Sequence, residues 1–276
     1  MDKKILLCFT FLVSILWYSI AFSAVPVINF AAKHTVPSGG PERIAADSEG
    51  KIYVTDNLNG IITVFSNNGL HLRNLNITGS PLGIAVDQSG KLYISDRKKK
   101  NTGVYNSAGD LIFKLGNGDG EFILPNDIAV STTGKVYVTD SKANMVKIYS
   151  TMNGVLLSTF GSGLLNFPSG LTVDDLTSEV FVLDYNNLYI RVYDLTGNLL
   201  RSIKSSGGGM MGSSKILAPL DIAVDSTRIY VSDAFNSVVA VYDRGTGSFL
   251  KYIGYYGTGN IEFKTPAGTR GSRSSA

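Results

Sequence analysis

Cysteine and tryptophan are nearly absent: Cys8 and Trp17 are the only ones, and both lie within the first 23 residues. No disulfide can staple the rest of the chain, so its own core must hold it, and about 250 residues are ample for one. An excess of charge of one sign is also missing. Lys and Arg number 25 against 22 Asp and Glu, a formal +3, and that balance makes no case for nucleic acid as a partner. Charged residues are scarce, 17% against 44% hydrophobic. Such a chain is too apolar for disorder and too interrupted by polar residues for a polytopic membrane protein. There is no paired cysteine, no nucleophile elbow and no Walker loop.

The one long apolar run is at the start. Asp2-Lys3-Lys4 precedes an almost wholly apolar stretch from Ile5 to Phe22, and Ala21 and Ser23 place small residues before Ala24. This is the pattern of a secretory signal peptide over residues 1–23, cleaved before Ala24. An uncleaved membrane anchor is the competing reading of the same run. Export implies a secreted or periplasmic protein with no membrane contact after cleavage.

What the sequence has in quantity is Gly, Tyr and Phe, at 30, 14 and 13 residues, a composition of strands and tight turns. It also repeats. Pro41-Glu42-Arg43-Ile44-Ala45-Ala46-Asp47 returns as Pro81-Leu82-Gly83-Ile84-Ala85-Val86-Asp87 and as Pro125-Asn126-Asp127-Ile128-Ala129-Val130-Ser131. Two further copies begin at Pro168 and Pro219. Each continues into a second run closing on aspartate, such as Lys135-Val136-Tyr137-Val138-Thr139-Asp140. Nine residues after that aspartate stands an aromatic: Phe65, Tyr105, Tyr149, Tyr193 and Tyr242. A fourth run follows a glycine turn.

Four short strands in a unit of about 45 residues make a propeller blade. The expected fold is all-β, a β-propeller of four-stranded blades at 41–80, 81–124, 125–167, 168–218 and 219–265. The second strands should be buried on both faces, with Val54, Val138 and Val231 between blades. The units resemble those of NHL-repeat propellers. The resemblance lies in the Ile-Ala-Val-Asp start, the Tyr-Val-Thr/Ser-Asp middle, the Val-Tyr-Asp third strand and the Phe-Gly close, and it covers residues 41 to about 266. It implies a fold and leaves function open, because such propellers include lyases, hydrolases, RNA binders and protein-binding scaffolds.

The resemblance commonly implies six blades, and here five are recognisable. Pro266-Ala267-Gly268 starts a sixth that Thr269–Ala276 does not continue. The reading is five full blades, one lone N-terminal strand at Val25–Phe30 in the segment 24–40, and a disordered tail or truncated blade at 266–276. An open ring would expose blade flanks and invite self-association.

Several residues are candidates for chemistry. Asp56, Asp96, Asp140, Asp184 and Asp233 would ring one face, as a carboxylate cluster or as turn caps. Asp127 and Asp221, at the channel mouth, would hold a divalent cation through oxygen. The zinc lyases of the resembled class use histidines at blade starts. Here those positions carry Arg43, Gly83, Asp127, Gly170 and Asp221, which removes the zinc ligands. The Glu-Gly-Pro-x-Trp signature of gluconolactonase-type propellers is also missing. Arg97-Lys98-Lys99-Lys100 forms one basic loop able to meet an anionic polymer. Asn57, Asn59, Asn144, Tyr185, Asn186, Phe235 and Asn236 fill the equivalent turns and suit protein or sugar recognition. The expected function is a non-enzymatic, exported scaffold that binds protein or glycan through this face, without a cofactor. The alternative is a propeller lyase or hydrolase with a cation at the channel mouth.

Overall fold

A computed structural model describes the strands at 3–8, 13–18 and 29–34 and residues 40–271, apart from 78, 206–215 and 258–261. The chain is an all-β propeller. Three strands come first: β1 (Lys3–Cys8), β2 (Val13–Tyr18) and β3 (Asn29–His34). The first repeat folds as β4 (Pro41–Ala46), β5 (Ile52–Asp56), β6 (Ile61–Phe65) and β7 (His71–Asn76). The second gives β8 (Pro81–Val86), β9 (Leu92–Asp96), β10 (Asn101–Tyr105) and β11 (Leu111–Lys114). The third gives β12 (Pro125–Val130), β13 (Lys135–Asp140), β14 (Met145–Ser150) and β15 (Leu156–Phe160). The fourth gives β16 (Pro168–Asp174), β17 (Glu179–Asp184), β18 (Tyr189–Asp194) and β19 (Leu199–Lys204). The fifth gives β20 (Pro219–Val224), β21 (Arg228–Asp233), β22 (Val238–Asp243) and β23 (Phe249–Ile253). Two short strands, β24 (Tyr255–Tyr256) and β25 (Glu262–Phe263), precede the last, β26 (Gly268–Gly271). Each repeat is one antiparallel four-stranded sheet in chain order.

The sheets are glued by cores that lie between blades. Ala129, Tyr137, Val146, Ile148 and Phe160 of the third blade pack against Leu171, Val173, Val180, Val182 and Tyr193 of the fourth. Comparable clusters join the first blade to the second, the second to the third and the fourth to the fifth. The second strands meet a neighbour on both faces, so alternation of apolar and polar residues gives way to continuous burial. Val54, Val138 and Val231 are fully buried. In all five repeats the register of strands three and four shifts at the spaced aromatic, for example between Val104 and Tyr105. The fixed spacing itself comes from the hairpin between strands two and three, where each closing aspartate pairs with the residue five positions on and the aromatic stands four residues later.

The termini depart from expectation. The sequence reading leaves one lone strand near Val25–Phe30 and a structureless tail. Instead β26, β1, β2 and β3 form a sixth antiparallel sheet in that order. Ile5, Leu6, Leu7 and Cys8 pair with Gly271, Arg270, Thr269 and Gly268, and β2 pairs with both β1 and β3. The inner strands neighbour one another in a closed circle, β4, β8, β12, β16, β20, β26 and back to β4. The start motif at Pro266 therefore supplies an inner strand, and the chain's beginning supplies the remaining three. The physical reason is the edge of β26: an unpaired strand leaves backbone donors and acceptors unsatisfied, and an apolar, Ile- and Leu-rich strand can pair with it. The run read as an export signal is thus built into strands in the full chain. Residues 24–28 and 272–276 lie outside the described residues.

Candidate functional site

The inner strands converge on the axis, and a small irregularity in each decides what lines it. In all five repeats the ladder between strands one and two is irregular just after the proline of the start motif, and in four of them a hydroxyl accepts from the amide of the motif's third residue. The backbone N–H groups of Arg43, Gly83, Asp127 and Asp221 donate to Thr55 (2.9 Å), Ser95 (2.8 Å), Thr139 (2.9 Å) and Ser232 (3.0 Å). Thr55, Ser95 and Thr139 donate in turn to the next blade, at Leu82 O, Asn126 O and Ser169 O. Blade four has Leu183 at this place, and Ser169 supplies the link to blade five by donating to Pro219 O at 2.7 Å. In blades one, two and three the hydroxyl before the closing aspartate is therefore a seam to the next blade.

Six inner strands place six residues at that third position: Arg43, Gly83, Asp127, Gly170, Asp221 and Gly268. Charged side chains alternate with glycine round the ring. Gly83 and Gly170 are required by close approach. A Cβ on Gly83 would stand 2.3 Å from Asn126 O, and one on Gly170 would stand 2.8 Å from the Asp221 Cα. Arg43 reaches across this ring. Its guanidinium donates to Leu220 O at 2.7 Å, to Asn126 Oδ1 at 3.3 Å and to Ala267 O. Its Nε lies 3.8 Å from Asp127 Oδ1. One side chain from blade one thus ties together blades three, five and six.

Asp127 and Asp221 are fully buried. Asp127 Oδ2 accepts from Leu171 N at 2.9 Å, and Asp221 Oδ1 accepts from Ile222 N at 2.9 Å. The cation facing Asp127 is the Arg43 guanidinium. Among the described residues no three Asp, Glu, His or Cys side chains stand together as a metal site.

The closing aspartates act as staples. Asp233 accepts from Leu217 N (2.9 Å) and Ala218 N (3.1 Å) in the incoming inter-blade loop, and from Phe235 N, Asn236 N and Asn236 Nδ2 in the outgoing turn. Asp56 does the same with Gly40 on one side and Leu58 and Asn59 on the other. Asp140 holds Ile123 N and Leu124 N, with Lys147 Nζ at 3.6 Å. Asp184 holds Asn166 N, Asn187 and Arg191 Nε, and Asp96 holds Ser80 N and Lys99 N. All five are buried. Turn capping was the local half of this role. The bond to the preceding loop has no local signal.

These staples decide which turn residues face outward. Asn59 and Asn236 are bound to their aspartates. Asn57 Nδ2 donates to Glu42 at 2.7 Å. Asn144 adopts left-handed backbone (φ 55°) and accepts from Phe167 N at 2.8 Å. Asn186 bonds Asn166 twice, through its backbone and its amide. Tyr185 packs edge-on against Phe167, with ring centroids 5.9 Å apart. Lys99 leans on Asp96 at 3.9 Å. Arg97, Lys98 and Lys100 are exposed; burial of part of Arg97 lowers its affinity for its proton, opposed by Glu42. Phe235 is 73% exposed.

Two further projecting residues were missed in the sequence. Leu58, 77% exposed, occupies in blade one the turn position that Phe235 occupies in blade five. Lys142 does so in blade three and is also exposed. The face is therefore polarised. Blades two and three present Arg97, Lys98, Lys100 and Lys142. Blades five and one present Phe235 and Leu58, and exposed Tyr255 and Tyr256 follow β23 between them. A hydrophobic turn residue gives no sign in the sequence that burial will pass it by.

Comparison with known proteins gives the fold alone. No family model matches the chain, and no curated protein matches it. Among solved structures, a chain from a nidogen/laminin complex superposes with a TM-score of 0.77 at 17% identity, covering 99% of this chain and 100% of that one. A protein of unknown function from Bacteroides caccae superposes with a TM-score of 0.72 at 13% identity, covering 99% and 100%.

Proposed function

We propose that this chain is an exported, NHL-type, non-catalytic scaffold that binds a protein through the polarised face. The observation that carries the reading is the fate of the polar groups there. The carboxylates that would do chemistry are engaged with backbone amides, whereas ammonium, aliphatic and aromatic side chains project. Aromatic and aliphatic anchors beside positive charge are what a protein interface uses. The partner segment should be acidic over blades two and three and apolar over blades five and one. The similar chain from the nidogen/laminin complex belongs to a protein complex, and that precedent supports a protein rather than a glycan as partner.

The test is capture from the cell envelope with the parent and with two variants, Lys98→Glu/Lys100→Glu and Leu58→Ala/Phe235→Ala. A partner held by the parent, released by rising salt and lost with both variants supports the reading. A partner held equally by all three refutes this face. Export has its own test. N-terminal sequencing of the mature protein should begin at Ala24, which would remove β1 and β2 from the sixth sheet. A product retaining residues 1–23 would instead keep that sheet whole and refute cleavage.

A further inference from the structure

The outer strand of every blade is an edge, with one row of backbone donors and acceptors open to solvent. Among the described residues β7, β11, β15, β19 and β23 each pair on one side only. Natural edge strands are protected from pairing with other strands by charge, lysine above all. Four of these five comply. Arg73, Arg201 and Lys251 lie opposite Val64, Val192 and Val241, and Lys114 lies opposite Gly103. In β15 the equivalent place, opposite Ile148, holds Ser158.

The departure extends well beyond one residue. Between Lys147 and Asp174 the sequence contains no charged side chain at all. That stretch includes β15 and both its flanking loops. Met152, Val155, Leu156, Leu157 and Leu164 are exposed along it. Exposed aliphatics also occur on the other outer strands, as at Leu72, Leu111, Leu199 and Leu250. They do not distinguish blade three; the missing charge does.

We propose that β15 is a pairing edge for a second copy of this chain, its β15 lying antiparallel across a two-fold axis. The charge pattern selects this occupant. Any other outer strand of a second copy would bring an Arg or Lys onto the exposed leucines and desolvate it. The image of β15 brings none. Pairing β15 with itself uses the edge on both copies, so association closes at a dimer and does not grow into fibres. The two blades then become one continuous eight-stranded sheet. The site is on the outer rim, distinct from the polarised face, and does not depend on it.

The test uses the full chain in sedimentation equilibrium. The parent should be a dimer, and Ser158→Lys, which restores what blades one, four and five carry at this place, should weaken dimerisation at least tenfold. Its circular dichroism spectrum should match the parent's, since the side chain is exposed on the single chain and the blade itself is left intact. Leu72→Lys on β7 should leave the dimer intact. In a Cys8→Ser background, single cysteines at Leu156, Leu157, Ser158 and Thr159 locate the axis. Residues facing across an antiparallel pair lie about 4.5–5.5 Å apart between Cα atoms, within disulfide range. One of the four should cross-link two chains on mild oxidation. A monomeric parent at about 100 μM, a dimer that survives Ser158→Lys, or no cross-link at any of the four positions would each overturn the proposal.

Discussion

Replacing Arg43 with methionine should be among the most damaging single changes in the inner ring. Arg43 is 3% exposed and Asp127 is fully buried. Methionine keeps much of the side chain's volume and removes its charge and donors. Asp127 Oδ1 then loses the cation 3.8 Å away, and Leu220 O loses a bond of 2.7 Å. Removing one partner of a buried ion pair costs about 3–5 kcal/mol, because a desolvated charge is left behind. The carbonyl oxygens at Leu220 and Ala267 deepen the loss unless water reaches them. Urea unfolding at pH 7 would measure the change as a shift in midpoint at constant slope. A double-mutant cycle with Asp127→Asn separates the causes. With the carboxylate neutralised, Arg43→Met should cost clearly less than it does alone, and the coupling should be about 1–3 kcal/mol. A single-mutant cost below about 1 kcal/mol, within the range of ordinary surface substitutions and small errors, would refute the role assigned to Arg43. Additivity within error would refute the pairing with Asp127.

Asp233→Ala removes the acceptor for two amides of the incoming loop and three N–H groups of the outgoing turn, and should cost at least about 2 kcal/mol by chemical denaturation; a change within error would show that the loops hold without their staple. Val138→Asp places a carboxylate between the second and third blades and should cost about 3 kcal/mol or more, so an unchanged melting temperature would refute the placement of β13. Alkali should unfold the protein through its tyrosines. Burial, first, and then the neighbouring Asp47 carboxylate push Tyr53 up to about 12, and burial likewise pushes Tyr193 up to about 12 against the lesser pull of Arg191. These folded values exceed the unfolded value of about 10. The stability they carry is therefore complete below about pH 10 and is lost as pH rises towards 12. Tyrosinate absorbance should rise together with loss of the β circular dichroism signal, and full ionisation near pH 10 in folded protein would refute the burial of these hydroxyls.

Much of the fold was legible because its signals are local. Two-residue periodicity, glycine turns and the fixed distance from aspartate to aromatic mark strands whose partners lie within the same repeat. The Asp47, Asp87 and Asp225 positions show how far such legibility goes. Each caps its turn and accepts the hydroxyl of the tyrosine in the following strand, Tyr53, Tyr93 or Tyr230. The third repeat has Ser131 there, and nothing nearby replaces the carboxylate. The structure supplies one from the next blade: Asp175 accepts from Thr132 N at 2.9 Å and from the Ser131 hydroxyl.

The sequence by itself determined the repeat, its strands and the all-β class, since each rests on contacts between residues less than one blade apart. The tertiary structure alone decided the rest. The sixth sheet joins residues 3–8 to 268–271, and no periodicity connects segments so far apart. The alternation of Arg43, Asp127 and Asp221 with glycine becomes meaningful only when six inner strands surround one axis. The same holds for the projecting face, where burial of five aspartates left Leu58, Lys142 and Phe235 as what a partner would meet. A side chain's role there follows from which neighbours consume its polar groups, and those neighbours lie on other blades.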